Sequence, residues 1–204
     1  MAGETGHITA MMDRLGILPD EWFERAENVP MTKAPVRAAV MSLFRPLDGV
    51  NILEIGSGTG AMTVELARSA GADGRVVSVE VSNLSARTTA INAERAGLRE
   101  MVTIIEGRAP EDIPDGEYGA VFVGGHGPEL AAIMNRCFKL IGRRGRMVLT
   151  SVKPRTTSAA LECFEGLTGE IGFWRIHSSS GRRAGSDWLV TGGNPVDIIW
   201  GDKT

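Results

Sequence analysis

Cysteine and tyrosine are nearly absent from this 204-residue chain, and no apolar run approaches the eighteen or so residues that cross a bilayer as a helix. Two cysteines, Cys137 and Cys163, are too few for a disulfide framework, and neither stands at the Cys-x-x-Cys or His spacing of a zinc site. They are expected to be buried thiols in a reducing compartment, with no metal. Residues Met1 to Leu15 carry Glu4 and Asp13 and lack the apolar centre of a signal peptide. An excess of one charge is missing too. Lys plus Arg number 22 against 25 for Asp plus Glu, a net charge of -3, so no basic field exists to gather nucleic acid or an anionic membrane. These absences lead to the expectation of a soluble, cytoplasmic protein with neither nucleic acid nor membrane as partner.

What is present is ordinary globular material: 43% hydrophobic and 23% charged residues, with 26 glycines that follow no Gly-X-Y period. The length favours one domain with a sizeable core. From about residue 50 onward, β-branched runs at 51–55, 75–80, 102–106, 118–123 and 146–151 alternate with helical patterns at 61–70, 84–96 and 129–140. That alternation predicts an α/β fold, a parallel sheet with helices on both faces. A further helix at 157–167 is followed by extended runs at 171–177, 188–191 and 196–200, which suit a closing antiparallel edge better than another βαβ unit, and a seven-stranded sheet is expected. Residues 1–30 keep no consistent period and read as an N-terminal arm, with Trp22 and Phe23 packed against something. Residues 31–204 form the main domain. Its first helix carries Val36, Val40 and Leu43, with Pro35 in the first turn and Thr32 as a candidate cap.

The segment Leu53-Glu54-Ile55-Gly56-Ser57-Gly58-Thr59-Gly60-Ala61 is a strand entering a glycine-rich turn that opens a helix. Such a turn lets a ligand approach the backbone, and it formally satisfies the dinucleotide fingerprint as well. Glu54, at the strand end, would repel a pyrophosphate and could balance a cationic amino acid, which favours S-adenosylmethionine over NAD. The single tyrosine, Tyr118, has Phe122 four residues on, so the Tyr-x-x-x-Lys pair of small dehydrogenases is absent. Glu80 ends the second strand where a carboxylate meets ribose hydroxyls, and Ala109 follows the third strand where a small residue can meet an adenine.

The segment after the fourth strand lacks the Asn/Asp-Pro-Pro-aromatic sequence of amino-methylating nucleic-acid enzymes, acidic ligands for a hard cation, and the Pro-Cys nucleophile of cytosine carbon-5 enzymes. An acceptor that needs little activation remains. Lys153 and Arg155 leave strand five at its carboxyl end, and Arg182 and Arg183 lie in a loop, Ser178–Gly185, that rises on the same side if strand six runs parallel. These four are candidates to bind an acidic substrate. Arg143, Arg144 and Arg146 fall at the other end and read as solvated surface. His126, after Gly124-Gly125, could exchange a proton between the methyl donor and its acceptor.

With these residues in place, the sequence resembles the decarboxylating precorrin methyltransferases of anaerobic cobalamin biosynthesis. The resemblance spans about residues 17–201. It rests on Ile17-Leu18-Pro19-Asp20-Glu21-Trp22-Phe23, Val29-Pro30-Met31-Thr32-Lys33 with Val36-Arg37, the glycine loop, Glu106-Gly107-Arg108-Ala109-Pro110, Val121-Phe122-Val123-Gly124-Gly125 and Asn194-Pro195-Val196 with Ile199 before Gly201. It implies a Rossmann-like class I S-adenosylmethionine-dependent methyltransferase and a homotetramer. It further implies that Thr32, Gly56, Ser57, Gly58, Thr59, Gly60, Glu80 and Ala109 contact the cofactor. The implied reaction methylates cobalt-precorrin-6B, a corrinoid, at ring carbon 15 with decarboxylation of the acetate on ring carbon 12, and a separate carbon-5 precorrin methylase is a possible partner. The family commonly reads Gly-Gly-Ser-Gly-Gly where His126 and Pro128 stand here, and Ser178–Ser180 is more polar than usual. Two other readings stay open: a methyltransferase of the same fold acting on RNA or another small molecule, and a non-catalytic cofactor-binding module serving a partner subunit.

Overall fold

The computed structural model describes residues 16–204, so the first half of the expected arm, with Glu4 and Asp13, lies outside the described residues. Strands β1 (Asn51–Ile55), β2 (Arg75–Glu80), β3 (Val102–Glu106) and β4 (Tyr118–Val123) fall where the alternation predicts them and run parallel. Helices α1 (Ala34–Leu43), α2 (Ala61–Ala70), α3 (Asn83–Arg95), α4 (Leu130–Leu140) and α5 (Pro154–Leu167) are interleaved with them. Together with β5 (Ile141–Ser151), β6 (Ile171–Ile176) and β9 (Val196–Asp202) they build a seven-stranded sheet in the order β3-β2-β1-β4-β5-β9-β6.

Strand alternation divides the core into two layers. Leu53, Val121, Val123, Met147 and Leu149 pack with Ile133, Met134 and Cys137 of α4 and with Phe164 of α5. Ile52, Val76, Ala120, Phe122 and Val148 face the other way, onto Val40 of α1, Leu66 of α2 and Ala93 of α3. Cys137 is fully buried, whereas Cys163 is only part-buried. The order reverses on either side of β1, the switch point at which open α/β sheets form a crevice outside their carboxyl ends.

The far edge is antiparallel. β9 pairs with β5 and with β6, which gives β6 the same direction as β5. Residues 178–185 are not a loop. Ser179–Ala184 form β7, which pairs with β8 (Asp187–Gly192) in a separate two-stranded hairpin, so the 188–191 run leaves the main sheet. The sequence Ser-Ser-Gly-Arg-Arg-Ala carries no apolar alternation, and for that reason it does not read as a strand.

Two further expectations are corrected. Thr32 does not cap α1; Lys33 holds the N-cap position without a side-chain bond, and the Asp20 carboxylate accepts from Ala34 N at 2.9 Å. Arg146 is not solvated surface. Its guanidinium grips both oxygens of Asp202 at 2.7 Å and also donates to Leu43 O, because β9 brings Asp202 directly opposite it. Trp22 and Phe23 pack with Leu18 onto Ala61 and Val64 of α2. Beneath them, Arg37 is fully buried. It donates to Asp20 Oδ1 at 2.9 Å and to the carbonyls of Thr32 and Leu18, and thereby pins residues 18–32 against the domain.

Candidate functional site

A cleft of about 980 Å³ runs along the carboxyl ends of the strands, from the β3 exit to the β9 entrance. One wall of it is the glycine loop. Gly56, Gly58 and Gly60 all have positive φ, at 78°, 57° and 78°. Side chains there are excluded by space as well: a Cβ on Gly56 would lie 2.7 Å from Gly125 N, and one on Gly58 would lie 2.5 Å from Pro30 O.

The loop's hydrogen bonds separate the two nucleotide readings. Gly56 N donates to Val79 O, Gly58 N to a Glu80 oxygen, Thr59 N to Pro30 O and Gly60 N to Ser57 O, at 2.8 to 3.0 Å. N–H groups committed within the protein cannot cradle a pyrophosphate, and the carboxylate of Glu80 lies where its charge would repel one. Glu80 is nearly buried. Its second oxygen accepts from Ser82 N at 2.9 Å, so each oxygen keeps a lone pair toward the cleft. A pair of ribose hydroxyls fits that acceptor set.

Glu54 does not have the role expected of it. It is fully buried, outside the cleft wall, and accepts from Thr63 Oγ1 of α2 at 2.5 Å. Strand alternation turns it under the helix while Ile55 faces the cleft. Burial pushes its carboxyl up to about 7, opposed by the Thr63 and Ser78 hydroxyls and reinforced by the Glu80 charge.

Of the residues singled out in the sequence, Thr32, Gly56, Ser57, Gly58, Glu80, Ala109, His126 and Lys153 line the cleft. Thr59 and Gly60 stand behind the loop and shape it. Arg155, Arg182 and Arg183 lie outside the lining; Arg183 stacks over Trp188 at 5.7 Å on the exposed hairpin. His126 is half-buried, with Nδ1 2.6 Å from Gly127 O. A carbonyl can only accept, so Nδ1 carries the proton of that bond and Nε2 is left for the cleft.

Met31, Lys33, Val36, Thr156 and Asn194 also form the wall and were not picked out as site residues, although Pro-x-Thr-Lys and Asn-Pro-Val stood in the sequence as signals. Among the described residues of the lining Glu80 is the one carboxylate, against Lys33, Arg108 and Lys153. Lys33 also faces Asp20 at 3.6 Å.

A family profile described as the precorrin methyltransferase domain matches residues 21–197. The chain belongs to the precorrin methyltransferase family. Among curated members, it is 33% identical over 192 residues to a probable cobalt-precorrin-6B C(15)-methyltransferase (decarboxylating) of Sulfurisphaera tokodaii, covering 93% of this chain and 99% of that one. It is 36% identical over 185 residues to the protein of that name in Pyrobaculum calidifontis, covering 89% and 93%. Among solved members of the precorrin family, the precorrin-8W decarboxylase of Methanobacterium thermoautotrophicum superposes with a TM-score of 0.83 at 31% identity over 90% of this chain and 98% of that one. The precorrin-6Y C5,15-methyltransferase of Geobacter metallireducens superposes with a TM-score of 0.82 at 26% identity, over 91% and 98%. This precorrin methyltransferase thus has the class I methyltransferase fold, and the sheet with helices on both faces is as the sequence predicts. No helix among its described residues is long and apolar enough to cross a membrane.

Proposed function

We propose that this enzyme transfers a methyl group from S-adenosylmethionine to ring carbon 15 of cobalt-precorrin-6B and that the carboxyl group of the acetate on ring carbon 12 leaves as carbon dioxide, the remaining methylene taking up a proton to become a methyl group. The observation that carries the reading is the asymmetry of the cleft, one carboxylate on the cofactor side facing a substrate side to which the described residues bring no acid. A cleft of about 980 Å³ is at the upper end for one ligand and suits a nucleoside cofactor beside a large ring. The relatives' names point to the same substrate.

S-adenosylmethionine supplies an electrophilic methyl group on a sulfonium sulfur. The protein supplies position. Glu80 holds the ribose, Gly56, Ser57 and Gly58 give room for close approach, Thr32 closes the loop side, and Ala109 leaves space for the base. Thr59 and Gly60 support the loop from behind. Lys153, with Lys33 across the cleft, receives ring carboxylates. Arg155, Arg182 and Arg183 act from outside the wall as a positive field that draws the polycarboxylate in. His126 Nε2 exchanges the proton that accompanies decarboxylation.

The deciding experiment incubates pure protein with S-adenosylmethionine and cobalt-precorrin-6B, and follows released carbon dioxide and product mass together. Methylation and carbon dioxide release in equal amounts are expected; methylation without release assigns the chain to a non-decarboxylating reaction, and neither event leaves a binding module. The assembly proposed is a cytoplasmic homotetramer with a carbon-5 precorrin methylase as partner, which light scattering with and without that enzyme measures.

A further inference from the structure

At the other end of the central strands from the cleft, where β1, β4 and β5 begin, lies a second cavity of about 190 Å³, and four of its eleven lining residues are arginines: Arg45, Arg143, Arg144 and Arg146. No acid lines it. Its floor is Phe44, Pro46, Leu47, Val50 and Ala120, which is apolar. The two sites cannot merge, since β4 spans the sheet between Ala120 in this cavity and the Gly124–Gly125 turn of the cleft, roughly 13 Å apart at 3.3 Å per residue.

The arginines are brought together by an irregularity. β4 and β5 pair at Tyr118 with Ile141 and next at Ala120 with Arg146, so one residue of β4 faces four of β5 and the segment 142–145 bulges outward. Arg144 within it has φ 68°, a left-handed conformation that a long side chain rarely adopts. Strain of this kind is characteristic of binding and switch sites. The charges are not balanced locally. Arg146 is committed to Asp202, and Arg45 reaches the same carboxylate at 3.7 Å. Glu170 is near enough to Arg146 only to act through its field. Neither Arg143 nor Arg144 has an ion-pair partner among the described residues. An excess of guanidinium donors over a dry floor calls for an oxyanion carrying a small apolar body.

We infer that this cavity is a second ligand site, separate from the methyl-transfer cleft, that takes a phosphate monoester with its phosphate against Arg143, Arg144 and Arg45 and its apolar part on Phe44, Leu47 and Val50. The volume is too small for a corrinoid ring, which keeps the site distinct from substrate binding.

Titration calorimetry tests this with phenyl phosphate, inorganic phosphate and phenol, on the full chain saturated with S-adenosylhomocysteine so that the cleft is filled. Phenyl phosphate is expected to bind more tightly than inorganic phosphate, and phenol not at all. In Arg143→Ala/Arg144→Ala, affinity should fall at least about tenfold while the melting temperature without ligand stays unchanged. Lys153→Ala, in the other cleft, should leave binding intact. No binding to the native chain at 10 mM, equal binding by the double variant, or loss in Lys153→Ala would each overturn the proposal. Equal affinity for phenyl phosphate and inorganic phosphate would overturn the monoester and leave free phosphate as the ligand.

Discussion

Removing the Glu80 carboxylate should weaken the cofactor far more than it weakens the fold. Glu80→Ala deletes an acceptor that serves two backbone donors, Gly58 N at 3.0 Å and Ser82 N at 2.9 Å, as well as the proposed ribose hydroxyls. The backbone donors sit at the cleft and can turn to water, so the stability loss should be about 1 kcal/mol for each bond. The hydroxyls lose their charged acceptor inside a narrow site, at a cost of about 1.5–3 kcal/mol, or roughly ten- to 150-fold in affinity. Glu80→Gln keeps the shape and one acceptor oxygen and should fall between the native protein and the alanine variant. Calorimetric titration with S-adenosylmethionine and with S-adenosylhomocysteine reads the effect, and a thermal melt checks that the variant is folded. A folded Glu80→Ala protein with native affinity for both ligands would refute the ribose assignment and, with it, the orientation given to the cofactor.

The pH dependence of stability should carry the signature of Glu54. Its folded value of about 7 stands above the 4.5 of a free glutamate, so its contribution is fully present below pH 4.5 and is lost as pH rises through 7, a change of about 3 kcal/mol. In Glu54→Gln the difference in urea stability between pH 5 and pH 8 should shrink by about that amount; an unaltered difference would show that the carboxyl is ionised without penalty. Lys153→Ala should raise the KM for the corrinoid several-fold at all salt concentrations, whereas Arg182→Ala/Arg183→Ala should lower kcat/KM only at low ionic strength, where screening is weak. Identical salt profiles in the two variants would remove the distinction between wall and field. His126→Ser, which restores the residue common in the family, should slow carbon dioxide release about 10²-fold and shift its pH profile. Native rates with a native profile would make the imidazole a bystander and turn attention to water or the ring's own carboxyls as proton source.

The parallel half of the molecule was legible because its signals are local. β1 to β4 are short apolar runs bounded by glycine and charge, and their ends fall where the pattern stops. The glycine loop and Glu80 are likewise local, each fixed by its place at a strand end. What was hidden depends on distant partners. Nothing local in α1 marks Arg37 as buried, and its burial requires Asp20 and the carbonyls of Leu18 and Thr32, which reach it from outside the helix. Arg146 reads as solvated until β9 supplies Asp202, 56 residues later. Glu54 was placed at the right end of the right strand and assigned to the wrong face, because a single acid among apolar neighbours does not announce a buried carboxyl. The hairpin strand β7 is hidden because its residues are polar and exposed on both faces.

Among the described residues, β9 alone in the main sheet joins two strands by antiparallel ladders, β5 on one side and β6 on the other. As the chain emerges during synthesis, β5 ends at Ser151 and β6 at Ile176, but the strand that covers both edges begins at Val196. Two rows of unsatisfied amides and carbonyls therefore wait for one late segment, and the interval is a window for pairing with another nascent chain. A premature stop within residues 196–202 would open both edges together and turn an otherwise complete parallel half into an aggregation seed. Expression of such a truncation should yield inclusion bodies, while loss of the β7–β8 hairpin, which pairs with neither edge, should be tolerated by the sheet.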